Sequence, residues 1–330
     1  MNFPIVSSGV VCPGGFGGEA LRAAWPVTGT LNAGGTREYD TMLVDRNAPA
    51  LKRWQKEPRL RRASPISYYL MEAADQALSA APHVDRARTG VVVSLFLGCL
   101  VYSIRFYRQL SNDGRRFASP LLFPETVFNS PLSHVASILG LGGPVHSQVG
   151  DMSCWATALR TAQCWLAKGR ADHVLVLSAE EFDPHELDAF RAAGFFRQRL
   201  TVAEGAGAML LSRGGNGPGI GLAAVADGHA FYDREGAKAA ASQCLAELPR
   251  DCPVLKTAAG WTEKIEEHAL RGRITLEGGP SNSSIAGTAS CAWNTILAAD
   301  ILRETDQHRG LVIPYFGLSQ QCGAAHLAPM

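Results

Sequence analysis

The sequence predicts an α/β fold in which strands and helices alternate along the chain. Three observations predict it: short apolar runs typical of buried strands recur, segments with apolar residues at helical spacing separate them, and glycine- or proline-rich turns mark their ends. A chain of 330 residues has room for two fused halves or one large α/β unit. Such alternation is typical of parallel sheets covered by helices on both faces.

The first part of the chain supplies most of the predicted elements. Apolar runs predict strands at Ile5–Val11, Thr89–Leu95, Val145–Val149, His173–Ser178 and Gly207–Leu211. Helical spacing predicts helices at Ser67–Ala80, Val101–Leu110, Pro131–Leu139, Cys154–Lys168 and Pro184–Ala193. Two segments have neither an apolar run nor helical spacing. We predict an irregular polar surface excursion at Thr28–Arg59 and a proline-marked loop at Pro120–Phe128.

A glycine-rich break separates the two predicted halves of the chain. Residues 213–219, with the sequence Arg-Gly-Gly-Asn-Gly-Pro-Gly, interrupt the alternation. We therefore predict an N-terminal half at residues 1–214 and a shortened C-terminal half at residues 215–330. The second half has predicted strands at Ile220–Ala226, Val254–Thr257, Gly310–Phe316 and Gly323–Leu327, the last two forming a hairpin, and predicted helices at Arg234–Leu248, Glu263–Leu270 and Ser290–Arg303.

Composition and charge exclude several classes of protein. Hydrophobic residues make up 46% and charged residues 18% of the chain, which is typical of a protein with a large core. A formal net charge of +1 gives no support for nucleic acid as a partner. The sequence has no run that predicts a signal peptide or a membrane span. The eight cysteines have no zinc-type spacing and are expected to be mostly reduced and buried, so we expect a cytoplasmic protein.

One basic segment stands out against the balanced charge. Arg59, Arg61 and Arg62 follow Lys52, Arg53 and Lys56 closely in sequence. Such a run has two interpretations, a solvated loop or a docking patch for an acidic carrier protein, which charge complementarity would favour.

Cys154 is the candidate nucleophile because it lies where a buried strand turns into a helix. The first N–H groups of a helix are unpaired and the helix dipole is positive there. A thiol in that position ionises more easily, and the same N–H groups can receive an oxyanion. The alternative is a small core residue that happens to begin a helix.

The middle of the chain resembles the β-ketoacyl synthase family. The resemblance extends from about Arg62 to Phe196 and rests on ordered motifs at Phe123–Asn129, His134–Ala136, Leu139–Pro144, Asp151–Cys154, Gly169–Asp172 and Ala179–Glu181. It implies a thiolase fold, with five layers in the order α-β-α-β-α built from two similar halves, and a dimer that pairs strands across a two-fold axis. It also implies that Cys154 carries an acyl chain as a thioester and that an acyl carrier protein is a partner.

The second half departs from the motifs of that family. Alignment with the family's first histidine motif places Ala259 at the histidine, within Thr257–Thr262. In the next motif Asn282 replaces the lysine and Gly287 replaces the second histidine. Leu318 falls on the gating phenylalanine, whose backbone N–H is an oxyanion donor in the family, so Leu318 is the corresponding candidate here.

These departures have a direct chemical meaning. Elongation requires decarboxylation of a malonyl group, and the two histidines of the family donate to the enolate that develops. Neither Ala259 nor Gly287 can donate from a side chain, and losing one such donor typically costs about a hundred- to a thousand-fold in rate. His146, on the strand before Cys154, is the candidate substitute base, whereas His268 lies beside glutamates that indicate an exposed helical face.

Trp155 is a further departure, since the family usually has a small residue after the nucleophile. We expect the indole either to fill part of the acyl tunnel or to pack into the dimer interface. Cys291 and Cys322 fall within the family's motifs, and we interpret them as packing residues.

Four hypotheses on function follow from these observations. The first is a non-elongating subunit resembling a chain-length factor, which pairs with a catalytic ketosynthase, although familiar chain-length factors also lose the cysteine. The second is a cysteine-dependent acyltransferase using Cys154. The third is a fully active synthase whose C-terminal motifs lie elsewhere, and the fourth is a purely structural role. A homodimer and a heterodimer remain open, and the sequence implies no metal, nucleotide or redox cofactor.

Overall fold

The computed structural model describes residues 1–33, 37–192, 201–214, 219–305, 308–318 and 320–330. Within these residues the helices are α1 Pro49–Gln55, α2 Pro65–Ser79, α3 Leu100–Asn112, α4 Ser130–Leu139, α5 Cys154–Ala167, α6 Pro184–Ala192, α7 Arg234–Ala246, α8 Glu263–Ala269 and α9 Gly287–Glu304. The strands are β1 Phe3–Cys12, β2 Gly15–Phe16, β3 Gly29–Ala33, β4 Arg37–Met42, β5 Thr89–Leu95, β6 Val145–Val149, β7 His173–Glu180, β8 Val202–Ala203, β9 Gly205–Ser212, β10 Ile220–Val225, β11 His229–Ala230, β12 Val254–Leu255, β13 Thr275–Leu276, β14 Leu311–Phe316 and β15 Gln321–Pro329.

The predicted elements are present, with ends displaced by a few residues. The predicted surface excursion at Thr28–Arg59 is wrong in part, because β3 and β4 pair there as an antiparallel hairpin and α1 follows. That hairpin pairs with β8 in a small separate sheet, so its strands need no long apolar run. The predicted boundary between residues 214 and 215 lies beside residues 215–218, outside the described residues, and the division there stays a prediction.

The main sheet is mixed, which corrects the expectation of parallel sheets. Its strands run in the order β13-β12-β14-β15-β10-β1-β9-β7-β5-β6. Parallel pairs occur at both ends, between β5 and its neighbours β6 and β7 and between β12 and its neighbours β13 and β14. The central strands β15, β10, β1 and β9 pair in antiparallel fashion, and the β1–β10 pair joins the two halves.

The helices form three layers around the two halves of this sheet, which confirms the five-layered thiolase fold. Helix α2 packs on β1, β7 and β9, and α4 packs on β5 and β6. On the other outer side α7 packs on β14 and β15, with α8 against α7. Helices α5 and α9 contact strands of both halves and each other, so they form the central layer.

The central layer brings the candidate nucleophile to the carboxyl ends of β5 and β7. Helix α5 begins at Cys154 after a turn that closes β6, with the Cys154 N–H donating to the Asp151 carbonyl at 2.8 Å. Its buried residues lie on more than one side of the helix, because sheets of both halves cover it. Across the described part of the chain, no helix has both the length and the apolar character required to cross a bilayer.

Candidate active site

Cys154 is the first residue of α5 and is only 1% exposed. Its sulfur lies 3.9 Å from the Leu95 carbonyl oxygen at the end of β5. The predicted strand-to-helix position is therefore present, but the thiol lies in the interior and not in an open cleft.

Burial decides the ionisation of this thiol. Desolvation raises the pKa of Cys154 to about 12, and the carboxyl groups of Glu180 and Asp151 add to the increase. The Ser94 hydroxyl acts in the opposite direction, because it can donate a hydrogen bond to the sulfur once the sulfur is charged, which favours the thiolate. The helix N-terminus was expected to lower this pKa, but loss of water around the sulfur has the larger effect, so the resting form is the neutral thiol. A catalytic role for Cys154 stays a prediction.

Asp151 bonds to both candidate oxyanion donors, to the Leu318 N–H through its carboxylate and to the Cys154 N–H through its backbone carbonyl. Its carboxylate accepts from the Leu318 N–H and the Met152 N–H, both at 2.7 Å. The same carboxylate accepts from Gln320 N–H at 2.7 Å and from Gln321 N–H at 3.4 Å. The Cys154 N–H is bonded to the Asp151 backbone carbonyl, as described above. In this structure a thioester oxygen would have to replace Asp151 at the Leu318 N–H before it could be stabilised there.

Glu180 is a second buried carboxyl group beside Cys154. It accepts from the Phe96 N–H at 2.6 Å, the Leu97 N–H at 3.0 Å and the Thr288 hydroxyl at 2.7 Å. Burial raises the pKa of this carboxyl group, and its hydrogen bonds partly offset that rise. Glu180 therefore ties the segment after β5 to the first turn of α9.

The same carboxyl group explains why Gly287 has no side chain. Gly287 has a φ of 51°, in the left-handed region that favours glycine. A β-carbon there would lie 2.6 Å from the Glu180 Cγ atom, closer than carbon atoms pack. An imidazole at this position would therefore require Glu180 to move. The assignment of Gly287 to the place of the second histidine stays a prediction.

The positions assigned to the three C-terminal motifs meet around one small cavity. Ala259, Leu318, Met152 and Cys291 line it, together with Thr257, Thr262, Ser284, Ile285, Ser290, Asn294, Pro314, Tyr315 and Phe316. Its volume is about 20 Å³, which suffices for a single water molecule. Asn282 lies nearby, with its amide bonded to the Lys256 carbonyl at 2.6 Å. Cys154 does not line this cavity, so the structure brings the motifs together without opening a path from them to the sulfur.

Trp155 lies in the interior of the chain, with no exposed surface. Its indole N–H donates to the Thr295 hydroxyl oxygen at 2.9 Å, and the Tyr315 hydroxyl lies 2.7 Å from the same oxygen. The Thr295 hydroxyl donates to the Cys291 carbonyl at 2.7 Å. Thr295 has one hydroxyl proton and donates it to the Cys291 carbonyl, so Tyr315 donates to Thr295 and every group has a partner. An indole that is fully buried within the single chain is not available to a subunit interface, so that expectation is wrong. That the indole fills part of an acyl tunnel stays a prediction.

The two candidate histidines lie on the outside of the molecule. His146 pairs with Val92 across the β5–β6 ladder, and its exposed ring lies 3.4 Å from the Gln148 side-chain oxygen. His268 is exposed in the last turn of α8. A role for His146 as a base stays a prediction. Cys291 and Cys322 are both buried, Cys291 beside the cavity with its thiol 3.4 Å from the Met152 carbonyl.

The sequence did not single out Ser94, Glu180 or Thr288. Glu180 lies within the motif Ala179–Glu181, which carried part of the family resemblance, so a signal existed for it. Thr288 ends the motif that contains Asn282 and Gly287, so a signal existed for it as well. Ser94 had no such signal, because its proximity to Cys154 results from packing of β5 against the start of α5. Within the described residues, no group of three or more histidine, cysteine or acidic side chains is arranged to hold a metal ion.

The layers and the strand order define a protein of the thiolase fold, and comparisons with known proteins agree. The family model described as β-ketoacyl synthase, N-terminal domain, matches residues 32–216, more than half of the chain. The chain therefore belongs to the β-ketoacyl synthase family, as the motifs predicted.

The individual curated relatives match a smaller share of the chain than the family model does. The chain is 32% identical over 133 residues to 3-oxoacyl-[acyl-carrier-protein] synthase 2 of Rhizobium meliloti (strain 1021), covering 39% of this chain and 31% of that protein. It thus spans under a third of the length of the curated relatives it matches.

Two solved structures show the same fold along nearly the whole chain. The ishigamide ketosynthase/chain length factor superposes with a TM-score of 0.79 at 19% identity, covering 99% of each chain. A type II polyketide synthase acyl-carrier protein in complex with its ketosynthase bound to the hexaketide gives a TM-score of 0.75 at 14% identity, again covering 99% of each chain.

Proposed function

We propose that this protein is a ketosynthase-like subunit of fatty-acid- or polyketide-type biosynthesis that does not elongate acyl chains by itself. It acts beside a catalytic ketosynthase in the manner of a chain-length factor, in the cytoplasm. The observation that carries the proposal is the pair Ala259 and Gly287 at the two histidine positions, with the Gly287 position closed by Glu180. Without those donors, the enolate of a decarboxylating malonyl group has no side-chain partner.

Two further features of the site support a non-elongating role. The Leu318 N–H is bonded to Asp151, so the second oxyanion donor is engaged. The cavity at the motif positions has room for one water molecule and is too small for an acyl chain. A solved relative of the same fold is named as a ketosynthase/chain length factor, which adds support for the class of partner.

An exposed edge and an apolar surface support association with a second subunit. Strand β6 ends the main sheet, and β5 is its partner in the described part of the chain, so its outer edge is free to pair. Large apolar side chains are exposed on α3 and the segment that follows it: Tyr107, Phe117, Leu121 and Phe123. An apolar surface of this kind and a free strand edge are each typical of an interface. We propose that a ketosynthase partner covers it, and a second copy of this chain is the other possible occupant.

A cluster of arginines supports docking of an acidic carrier protein. Arg61, Arg62 and Arg105 line one groove, and Arg59 lines an adjoining one with Arg61 and Arg62. The first groove has a volume of about 310 Å³ and the second of about 420 Å³. Exposed guanidinium groups of one sign attract an acidic partner and accelerate its association.

Charge reversal at this cluster is expected to weaken carrier binding. The double variant Arg61→Glu/Arg62→Glu should raise the Kd for an acyl carrier protein by about tenfold or more at 50 mM salt, with a smaller difference at 500 mM, because the lost attraction is screened by salt. Isothermal titration calorimetry or surface plasmon resonance measures the effect. Arg250→Glu, an exposed arginine of the C-terminal half, is the control and should bind nearly as the unmodified protein. Equal affinities of the double variant and the control would contradict docking at this cluster.

Retention of Cys154 favours one alternative function, a cysteine-dependent acyltransferase acting on carrier thioesters. Such an enzyme needs the thiol and an acyl donor but no malonyl decarboxylation. Its requirement for a reactive thiolate conflicts with the raised pKa of the resting thiol.

Intact-protein mass spectrometry distinguishes these functions. The protein is incubated with an acyl-carrier thioester, with and without a malonyl-carrier thioester, beside Cys154→Ala. The proposed function predicts no elongated product from the chain alone and co-purification with a ketosynthase when both are produced together. A mass gain that disappears in Cys154→Ala, without elongation, would support the acyltransferase. Elongated product from the chain alone would overturn the proposal.

A further inference from the structure

Ser94 faces the same layer of the fold as Cys154. Along β5, alternate residues point to opposite sides, and Val91, Val93 and Leu95 pack in the outer core with α2 and α4. Val92 packs instead with the residues of α5. Ser94 is two residues beyond Val92, so it shares that side, at the carboxyl end of the strand where α5 begins.

The Ser94 side chain is buried and has no hydrogen-bond partner. Its exposure is 0%, and its hydroxyl oxygen makes no hydrogen bond in the resting structure. Its backbone carbonyl oxygen lies 3.0 Å from the Thr288 hydroxyl oxygen, whose single proton it shares with Glu180. The carbonyl of the next residue, Leu95, accepts from the Cys154 thiol. A buried hydroxyl without a partner is costly, and such groups often have a functional explanation.

We propose that Ser94 is a positioning residue whose hydroxyl is held ready to donate a hydrogen bond to the Cys154 thiolate. A neutral thiol is a weak hydrogen-bond acceptor, whereas a thiolate is a strong one, so this contact forms fully only when the sulfur loses its proton. Ser94 would thereby supply part of the stabilisation of the thiolate that a neighbouring histidine could otherwise supply. The inference rests on the alternative function, in which Cys154 acts as a reactive thiol, and not on a particular acyl substrate.

The other titratable groups around the sulfur oppose ionisation. Glu180 on β7, Asp151 in the turn before α5 and Cys291 on α9 are acids that face this region. None of the three favours the thiolate, because each adds negative charge when it ionises. The Ser94 hydroxyl is therefore the side-chain donor that remains for the sulfur among the described groups that affect its ionisation.

The test measures alkylation of Cys154 by iodoacetamide as a function of pH, with peptide mass spectrometry to follow each cysteine separately. Ser94→Ala is expected to displace the pH–rate profile of Cys154 to higher pH and to lower its rate at pH 8 by about threefold to tenfold. The estimate combines the loss of a hydrogen bond to a charged group with the higher nucleophilicity of a more basic thiolate. Cys164, the exposed cysteine of α5, serves as an internal standard for the reagent.

Two variants separate this role from a structural one. Ser178→Ala is the matched control, because Ser178 pairs with Ser94 across the β5–β7 ladder and has an equally buried, unpartnered hydroxyl. Ser178→Ala should leave the pH–rate profile of Cys154 unchanged. Ser94→Thr retains a hydroxyl at position 94 and should also leave that profile unchanged. Equal profiles for Ser94→Ala and the unmodified protein would overturn the inference, as would labelling of Cys164 without labelling of Cys154 in any variant. These outcomes do not depend on elongation or on a partner, so failure of the proposed function leaves the test valid.

Discussion

Replacement of Trp155 by alanine is expected to lower the free energy of unfolding by about 3–5 kcal/mol, the range for a large buried aromatic side chain. The indole has no exposed surface and lies between the central helices and β14. Its removal leaves a cavity that the surrounding helices cannot close, since sheets of both halves hold them in place. It also removes one of the two donors to Thr295, although that oxygen keeps the Tyr315 hydroxyl.

Urea unfolding followed by circular dichroism, at one fixed protein concentration, measures this effect. Trp155→Phe keeps much of the apolar area and should lose less, about 1–3 kcal/mol. Tyr232→Ala removes an aromatic side chain that is 99% exposed and should change stability by less than about 0.5 kcal/mol. A loss below 1 kcal/mol for Trp155→Ala would show that the indole is not packed as the structure has it.

The loss of the Asp151 carboxylate is expected to have a comparable effect and to loosen the turn at Leu318. Four backbone N–H groups donate to this carboxylate, and alanine would leave them without their acceptor. Hydrogen bonds to a charged group contribute about 1.5–3 kcal/mol each when broken singly, and water can replace some of them in the variant. We therefore expect Asp151→Ala to lower the free energy of unfolding by about 3 kcal/mol.

Hydrogen exchange at single amides reports on the turn that Asp151 binds, which a measurement of overall stability does not. The amides of Leu318 and Gln320 should exchange at least tenfold faster in Asp151→Ala, while amides of β7 keep their relative protection. Asp151→Asn retains one acceptor oxygen and should have an intermediate effect. Asp227→Ala, which removes an exposed aspartate paired with Arg160, is the matched control and should cost less than about 1 kcal/mol. Unchanged exchange at Leu318 would show that Asp151 does not hold this turn.

Both predictions concern the central layer, where the same residues form the candidate site and part of the core. Trp155 follows Cys154 directly, and Asp151 precedes it by one turn. A chain built to carry an acyl group on Cys154 would need space and a free Leu318 N–H at this place. The protein instead fills the space with an indole and bonds the N–H to a carboxylate, which is consistent with the proposed supporting role.

Local patterns predicted most of the elements and failed where pairing decided the outcome. The strand Thr89–Leu95 has the bounds that its apolar run indicated, because a strand buried on both faces has a continuous apolar sequence. The hairpin of β3 and β4 was missed, because its strands pair with each other and need little apolar sequence. The mixed sheet was missed because the partner of β1 is β10, more than two hundred residues later, and no local pattern encodes that pairing.

The sequence by itself determined the family and the position of Cys154 at the start of a helix, and it predicts the replacement of two histidines by Ala259 and Gly287. Each of these depends on the order and identity of neighbouring residues. Only the tertiary structure decided that the thiol is neutral, that Asp151 takes the Leu318 N–H, and that Glu180 closes the space at Gly287. Those properties depend on desolvation and on contacts between residues more than one hundred positions apart, such as Asp151 with Leu318, and folding alone brings such residues together.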